Sequence, residues 1–322
     1  MSDINELVTG VQSGSRRALA RLITRIESTR ADHRAEAQQA LSELLPKTGK
    51  SLRIGISGVP GVGKSSFIET FGLHVIEQGH RVAVLAVDPS SPKHGGSILG
   101  DKTRMENLAR HPDAFVRPSP SGGSMGGVAR RTRETILATE ASGFDVILVE
   151  TVGVGQSEYA VADLVDMFVL LVAPGGGDDL QGIKKGIVEM ADLLVVTKDD
   201  GDLAKAASRA FQDYRSAIHM LRPGNELWRP HVLRCSAHTK DGIPEVWEKM
   251  DEFGTIMRDA GAIDENRAEQ AASWMWDEVT ATLIERVKQK SDVADTLEAD
   301  VRAGKITPTD AALKLIERFN AV

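Results

Sequence analysis

The 322-residue chain holds one cysteine, Cys235, so no disulfide can close within it and a reducing compartment suits it. Aromatic residues make up only 4 % of the sequence, which leaves a core to be built mostly from aliphatic side chains. No apolar run approaches the roughly 20 residues that a membrane span requires. The opening Met1–Glu6 carries acids early and lacks the basic start and apolar stretch of a signal peptide. No basic stripe with interleaved aromatics occurs, and the formal net charge is −7, which argues against a nucleic-acid partner. Cys-x-Cys and His-rich tracts, the usual means of holding a soft metal, are also missing. These absences lead us to expect a cytoplasmic protein with no membrane and no nucleic-acid partner.

What is present centres on Gly58-Val59-Pro60-Gly61-Val62-Gly63-Lys64-Ser65, followed by Ser66. The string satisfies G-x-x-x-x-G-K-[ST], the loop that cradles nucleotide phosphates. Its context fits. The β-prone Leu52–Ser57 precedes it, and after it Phe67, Ile68, Phe71, Val75 and Ile76 fall roughly at helical spacing. Strand, glycine loop and helix are what the chemistry needs. The glycines let successive N–H groups turn toward phosphate, and the helix N-terminus adds a favourable dipole. Lys64 is expected to reach the β- and γ-phosphates, and the Ser65 hydroxyl to sit on Mg²⁺.

Around this loop the chain reads in three parts. Residues 1–50 suggest an amphipathic helical pair, with Ala18, Leu19, Leu22, Ile23 and Ile26 forming one apolar stripe. Residues 51–255 alternate strands and helices. The expected strands are 52–57, 81–87, 146–150, 167–172, 193–197 and 232–236, mostly continuous Val/Ile/Leu runs of the kind buried on both faces of a parallel sheet. This predicts an α/β fold, a doubly wound and mostly parallel sheet whose ligands gather at the strand C-terminal ends. Residues 256–322 carry no strand and suggest helices over 267–290, 293–303 and from Thr307-Pro308 to about Phe319. That tail is too thin to hold its own core, so it must pack on the main domain or on a second subunit. Trp274 and Trp276 suit an interface or an internal core equally.

Three acids are candidate metal partners beside Ser65. Glu150 ends a strand and precedes Thr151-Val152-Gly153, where P-loop enzymes place the acid that holds Mg²⁺ directly or through water. Asp88 lies likewise in Val87-Asp88-Pro89, and Asp101 lies in the glycine-rich stretch Gly95–Arg104, which could close on the metal when triphosphate is present. Lys64, Glu150 and Asp101 are the candidate catalytic groups.

Base selection is expected from Thr197-Lys198-Asp199-Asp200, at a strand end where GTPases carry Asn-Lys-x-Asp. Asp200 would accept from the guanine N1–H and exocyclic amine, which adenine does not offer, and Lys198 would lay its stem along the base. Ser236-Ala237-His238 follows the last strand, where a backbone N–H meets the guanine carbonyl oxygen. Thr197 is the departure. It is shorter than Asn and has no amide donor, which leaves the contacts across base and phosphate loop open. We expect GTP over ATP, with weakened affinity. Val154 follows Gly153 where a small GTPase carries a water-orienting Gln, and Gln156 comes later, so intrinsic hydrolysis should be slow and accelerated by a partner.

Taken together, GVPGVGKSS, AVDPSS, GGSILGDKTRM, RPSPSGG, VILVETVGVGQSE and PGGGDDLQGIKKG closely resemble the MeaB/ArgK/MMAA family, P-loop GTPases of the metallochaperone class. The resemblance runs from near residue 15 to about 290. It implies GTP and GDP as ligands, Mg²⁺, homodimerisation through the C-terminal helices, and a role gating adenosylcobalamin delivery to methylmalonyl-CoA mutase while protecting or reactivating that enzyme. It also implies a switch loop over Gly175–Lys185 that signals to the mutase, with Asp178, Asp179, Gln181 and Lys184 as relay residues. From the residues alone that stretch is only a glycine turn capping a helix. No Asp-x-His-x-x-Gly string occurs, so the chain should not carry cobalamin through a His of its own. Two alternatives stay open: a chaperone for a related cobalamin-dependent acyl-CoA mutase, and a protein or amino-acid transport kinase.

Overall fold

Continuous runs of β-branched residues and leucine become strands wherever a helix can cover each face. In the computed structural model, which describes residues 2–87, 105–118, 125–151, 157–175, 185–219, 226–289 and 291–320, they build one sheet of seven strands. These are β1 (Leu52–Ser57), β2 (Val82–Val87), β3 (Ala114–Pro118), β4 (Val146–Thr151), β5 (Met167–Val172), β6 (Leu193–Val196) and β7 (His231–Arg234). The order is β3-β2-β4-β1-β5-β6-β7, and every pairing is parallel. Every residue of β1, β2, β4, β5 and β6 is buried, as parallel strands covered by helices should be. The fold is therefore the expected doubly wound α/β sheet, parallel throughout.

β1 sits between β4 and β5, so the loop leaving its C-terminal end opens where the chain changes direction across the sheet. That is where ligands of such sheets bind. The helix Lys64–Glu77 leaves this loop and buries Phe67, Ile68, Phe71 and Val75 against the sheet, with the Phe67 and Phe71 rings stacked at 5.2 Å. Ile54, Ile56, Leu148, Val169, Leu171 and Val195 continue the same apolar core.

Two features differ from expectation. β3 was not anticipated; it is a five-residue edge strand ending in Arg117-Pro118, and proline is tolerated at an edge because no further partner needs its N–H. The amino-terminal region holds three helices, Ser2–Gln12, Arg16–Glu27 and Ala31–Leu44, in place of a pair. The first break follows from Gly14 at φ +78° and Ser15, which caps the second helix by accepting from the Ala18 N–H. Leu19, Leu22, Ile23 and Ile26 are buried, and the second and third helices pack on the helix Met125–Ala141.

The chain divides into two compact units, Met1–Arg267 and Ala268–Val322. Within the second, the helices Ser291–Arg302 and Pro308–Asn320 pack together, while Met275, Trp276, Leu283, Ile284, Leu313 and Ile316 are exposed. Among the described residues no helix is long and apolar enough to cross a membrane.

Candidate nucleotide site

The loop after β1 is shaped by its glycines. Gly58 has φ +156°, and a Cβ there would stand 2.6 Å from the Leu171 carbonyl oxygen of β5, so only glycine fits. Gly63 has φ +99° and caps the helix Lys64–Glu77, a left-handed turn that glycine adopts without steric cost. Between them Val62 is fully buried and its N–H donates to the Val59 carbonyl at 3.2 Å. Lys64 is buried, and its Nζ donates to the Gly58 carbonyl at 2.6 Å. Its ammonium is thus held inside the loop's own curve. Ser65 is half-buried on the first helical turn, and Ser66 is exposed beside it.

Glu150 is buried near the end of β4 and lies in register with Ile56 of β1 on one side and Ala86 of β2 on the other. It therefore stands level with the residues that lead into the phosphate loop. The next residue, Thr151, donates its hydroxyl to Ser57 Oγ at 3.1 Å and ties the two strand ends together. A hydroxyl at Ser65 and a carboxylate at Glu150 are both oxygen donors, the chemistry that suits Mg²⁺ over a softer metal. Among the described residues no cluster of three or more His, Cys, Asp or Glu side chains forms a metal site. Asp88, Asp101, Val154, Gln156, Asp178, Asp179, Gln181 and Lys184 lie outside the described residues.

The segment after β6 meets the phosphate loop, and the segment after β7 meets the helix that leaves it. Thr197 is buried, and its Oγ1 donates to the Val62 carbonyl at 2.7 Å, across 135 residues of sequence. Thr197, although it lacks an amide, therefore has a side-chain bond of its own to the phosphate loop. Lys198 adopts φ +57° and its Nζ donates to the Gly61 carbonyl at 2.7 Å, while its Cε would lie 3.8 Å from a Cβ placed on Gly63. The lysine stem thus spans the loop's glycines. The Ser236 hydroxyl donates to the Asp200 carboxylate. In turn Ser236 Oγ accepts from the backbone N–H groups of His238 at 3.1 Å and Thr239 at 3.0 Å. The Ser236-Ala237-His238 turn and Asp200 therefore form one connected unit.

Thr70 also belongs to this unit and was not anticipated: its hydroxyl donates to the Ala237 carbonyl at 3.0 Å. A threonine inside an apolar helix gives no signal of such a contact, because the partner lies 167 residues away. Cys235, just before Ser236, is buried; burial first and the nearby Asp199 second push its thiol up to about 12. It is an inert part of the strand end.

Comparison with known proteins agrees with this geometry. Residues 19–292 match the family model described as methylmalonyl-CoA mutase-associated GTPase MeaB. The chain is 48 % identical to the mitochondrial methylmalonic aciduria type A homolog of Mus musculus, over 99 % of this chain and 80 % of that one. It is 50 % identical to the GTPase ArgK of Escherichia coli (strain K12), over 84 % of this chain and 82 % of that one. A crystal structure described as an LAO/AO transport system kinase superposes with a TM-score of 0.78 at 36 % identity, covering 99 % of this chain and 98 % of the other.

Proposed function

The chain belongs to the MeaB family of methylmalonyl-CoA mutase-associated GTPases, and on that premise we propose that it is a GTP-driven switch that chaperones a cobalamin-dependent acyl-CoA mutase. Its activity is that of a GTPase. Lys64 neutralises charge on the β- and γ-phosphates, and the loop N–H groups orient them. Ser65, Glu150, Asp88 and Asp101 are the side chains that would hold Mg²⁺. The ion, when bound, stabilises charge developing on the phosphoryl oxygens. Asp200 reads the guanine N1–H and amine, Ser236 orients Asp200, and the backbone at Ala237 and His238 meets the guanine carbonyl.

The observation that carries this reading is that the Thr197–Asp200 segment bonds the phosphate loop through Thr197 and Lys198, while the Ser236–His238 segment bonds the helix leaving that loop through Thr70. A base-reading carboxylate held relative to a phosphate cradle selects a nucleotide by both ends. Val154 in place of a water-orienting glutamine supports slow intrinsic turnover, so the bound nucleotide persists long enough to act as a signal. Gly175–Lys185, with Asp178, Asp179, Gln181 and Lys184, relays that state to the mutase and so gates adenosylcobalamin loading. The exposed apolar side chains of the second unit, Trp276 and Leu283 among them, support homodimerisation through the helical stretch 256–322.

The test is retention of a mutase on the immobilised protein from native extract, with GDP and with a non-hydrolysable GTP analogue. A cobalamin-dependent acyl-CoA mutase retained to a different extent in the two states is the expected result. Retention of none defeats the proposal. Turnover of about 10 s⁻¹ or more by the isolated protein would defeat its slow-switch component.

A further inference from the structure

The hydroxyl of Thr197 has a single proton, and the structure commits it. Thr197 Oγ1 lies 2.7 Å from the Val62 carbonyl oxygen and 3.3 Å from that of Val172, so the nearer carbonyl takes the bond. Both Thr197 and Val62 are buried. Beside it, Lys198 Nζ gives one of its three protons to the Gly61 carbonyl, and Ser236 Oγ gives its single proton to Asp200. The backbone N–H groups of Asp199, His238 and Thr239 are also engaged, the first with the Cys235 carbonyl and the others with Ser236 Oγ. Guanine presents N7 as an acceptor, and an acceptor is read only by a donor with a proton to give.

We propose that Thr197 is a positioning residue for the phosphate loop and leaves N7 of the guanine unread, so that this site takes 7-deazaguanine nucleotides as readily as ordinary ones. An asparagine at this position would have two amide protons, one for Val62 and one to spare. Threonine keeps the first function and gives up the second. Selectivity for guanine then rests on Asp200 at the opposite edge of the base, as the preceding reading has it. The site is consequently strict at N1 and the exocyclic amine and permissive at N7.

The experiment measures GDP, 7-deaza-GDP and ADP affinities by calorimetry for the wild-type protein and for Thr197→Asn, Thr197→Ser and Thr197→Val. The wild-type protein should bind GDP and 7-deaza-GDP within about twofold of each other. Thr197→Asn should discriminate against 7-deaza-GDP by about fivefold, the weight of one hydrogen bond. Thr197→Ser should behave as wild type, whereas Thr197→Val should lose affinity for GDP and 7-deaza-GDP by the same factor, because the Val62 carbonyl loses its donor. A fivefold wild-type preference for GDP over 7-deaza-GDP overturns the proposal. So does an unchanged ratio in Thr197→Asn, or full GDP affinity in Thr197→Val. The ADP arm is separate: equal GDP and ADP affinities refute guanine reading by Asp200, while the Val and Ser variants still test the hold on the phosphate loop.

Discussion

Replacing Glu140 by glutamine should destabilise the protein more than any single change in the nucleotide loops. Glu140 lies on the helix Met125–Ala141 with its side chain only 1 % exposed, and it is the hub of a buried charge network at the foot of the sheet. Its carboxylate accepts from Arg53 Nε at 2.9 Å and Arg53 Nη2 at 3.0 Å, from Ser51 Oγ at 2.5 Å and from the Gly49 N–H at 2.9 Å. Beside it Asp166 accepts from Arg267 Nη2 at 2.6 Å and from the Arg53 N–H at 2.8 Å. Glu140→Gln keeps the shape but strands the Arg53 guanidinium, itself 5 % exposed, without its charge partner. Breaking one side of such a buried pair costs about 3–5 kcal/mol. With a urea slope of about 3 kcal/mol/M, the unfolding midpoint should fall by about 1–1.7 M.

Removing both partners, Arg53→Met with Glu140→Met, should recover part of that loss, because no charge is then left buried alone. The pH dependence follows with a definite sign. Burial alone would raise the Glu140 carboxyl, but the Arg53 bond and charge, with Ser51 and Gly49, outweigh it and hold it below its ordinary 4.5. A depressed acid stabilises fully above the unfolded value and loses that contribution as pH falls through the folded one. The gap between wild type and Glu140→Gln should therefore be constant near neutrality and narrow once pH falls below 4.5. A loss under about 1 kcal/mol at neutral pH, below what breaking such a pair costs, refutes the reasoning. A gap unchanged at acid pH refutes the linkage.

Gly58→Ala should lower GDP affinity at least about tenfold, since the added Cβ meets the Leu171 carbonyl at 2.6 Å and the loop must shift; calorimetry reads this directly. Cys235 should resist Ellman's reagent at pH 8 in the folded protein and react fully in guanidinium, because its thiol stands at about 12. Burial pushes Asp192 up to about 7 against the lowering bond from the Phe168 N–H. A raised acid costs stability as pH climbs from the unfolded 3.8 to the folded value, so Asp192→Asn should gain on wild type across that window. Parallel stability curves for the two proteins would contradict it.

How much of this could be read from residues alone depended on the range of the interaction. β1 and β5 have the predicted limits because their apolar runs are bounded by breaks in the local sequence, and the phosphate loop was readable because its glycines answer a local backbone demand. β3 was missed because a five-residue edge strand ending in proline has neither length nor alternation to announce it. The helix Met125–Ala141 begins through Gly126 and Gly127, which weigh against a helix locally, so its start is not marked by propensity. Thr197 looked like a loss. Its bond to Val62 depends on the register of β5 and β6 beside β1, which no local pattern encodes. The contact of Thr70 with Ala237 was hidden for the same reason.

On the proposed reading, Asp200 beyond the end of β6 makes this site one for guanine nucleotides. Calorimetric titration of the nucleotide-free protein with GDP and with ADP, both with Mg²⁺, tests it most directly. Asp200 can accept from guanine but meets only an acceptor on adenine, a difference of about 3 kcal/mol, so GDP should bind about 100-fold more tightly. Equal affinities for the two nucleotides would contradict the account.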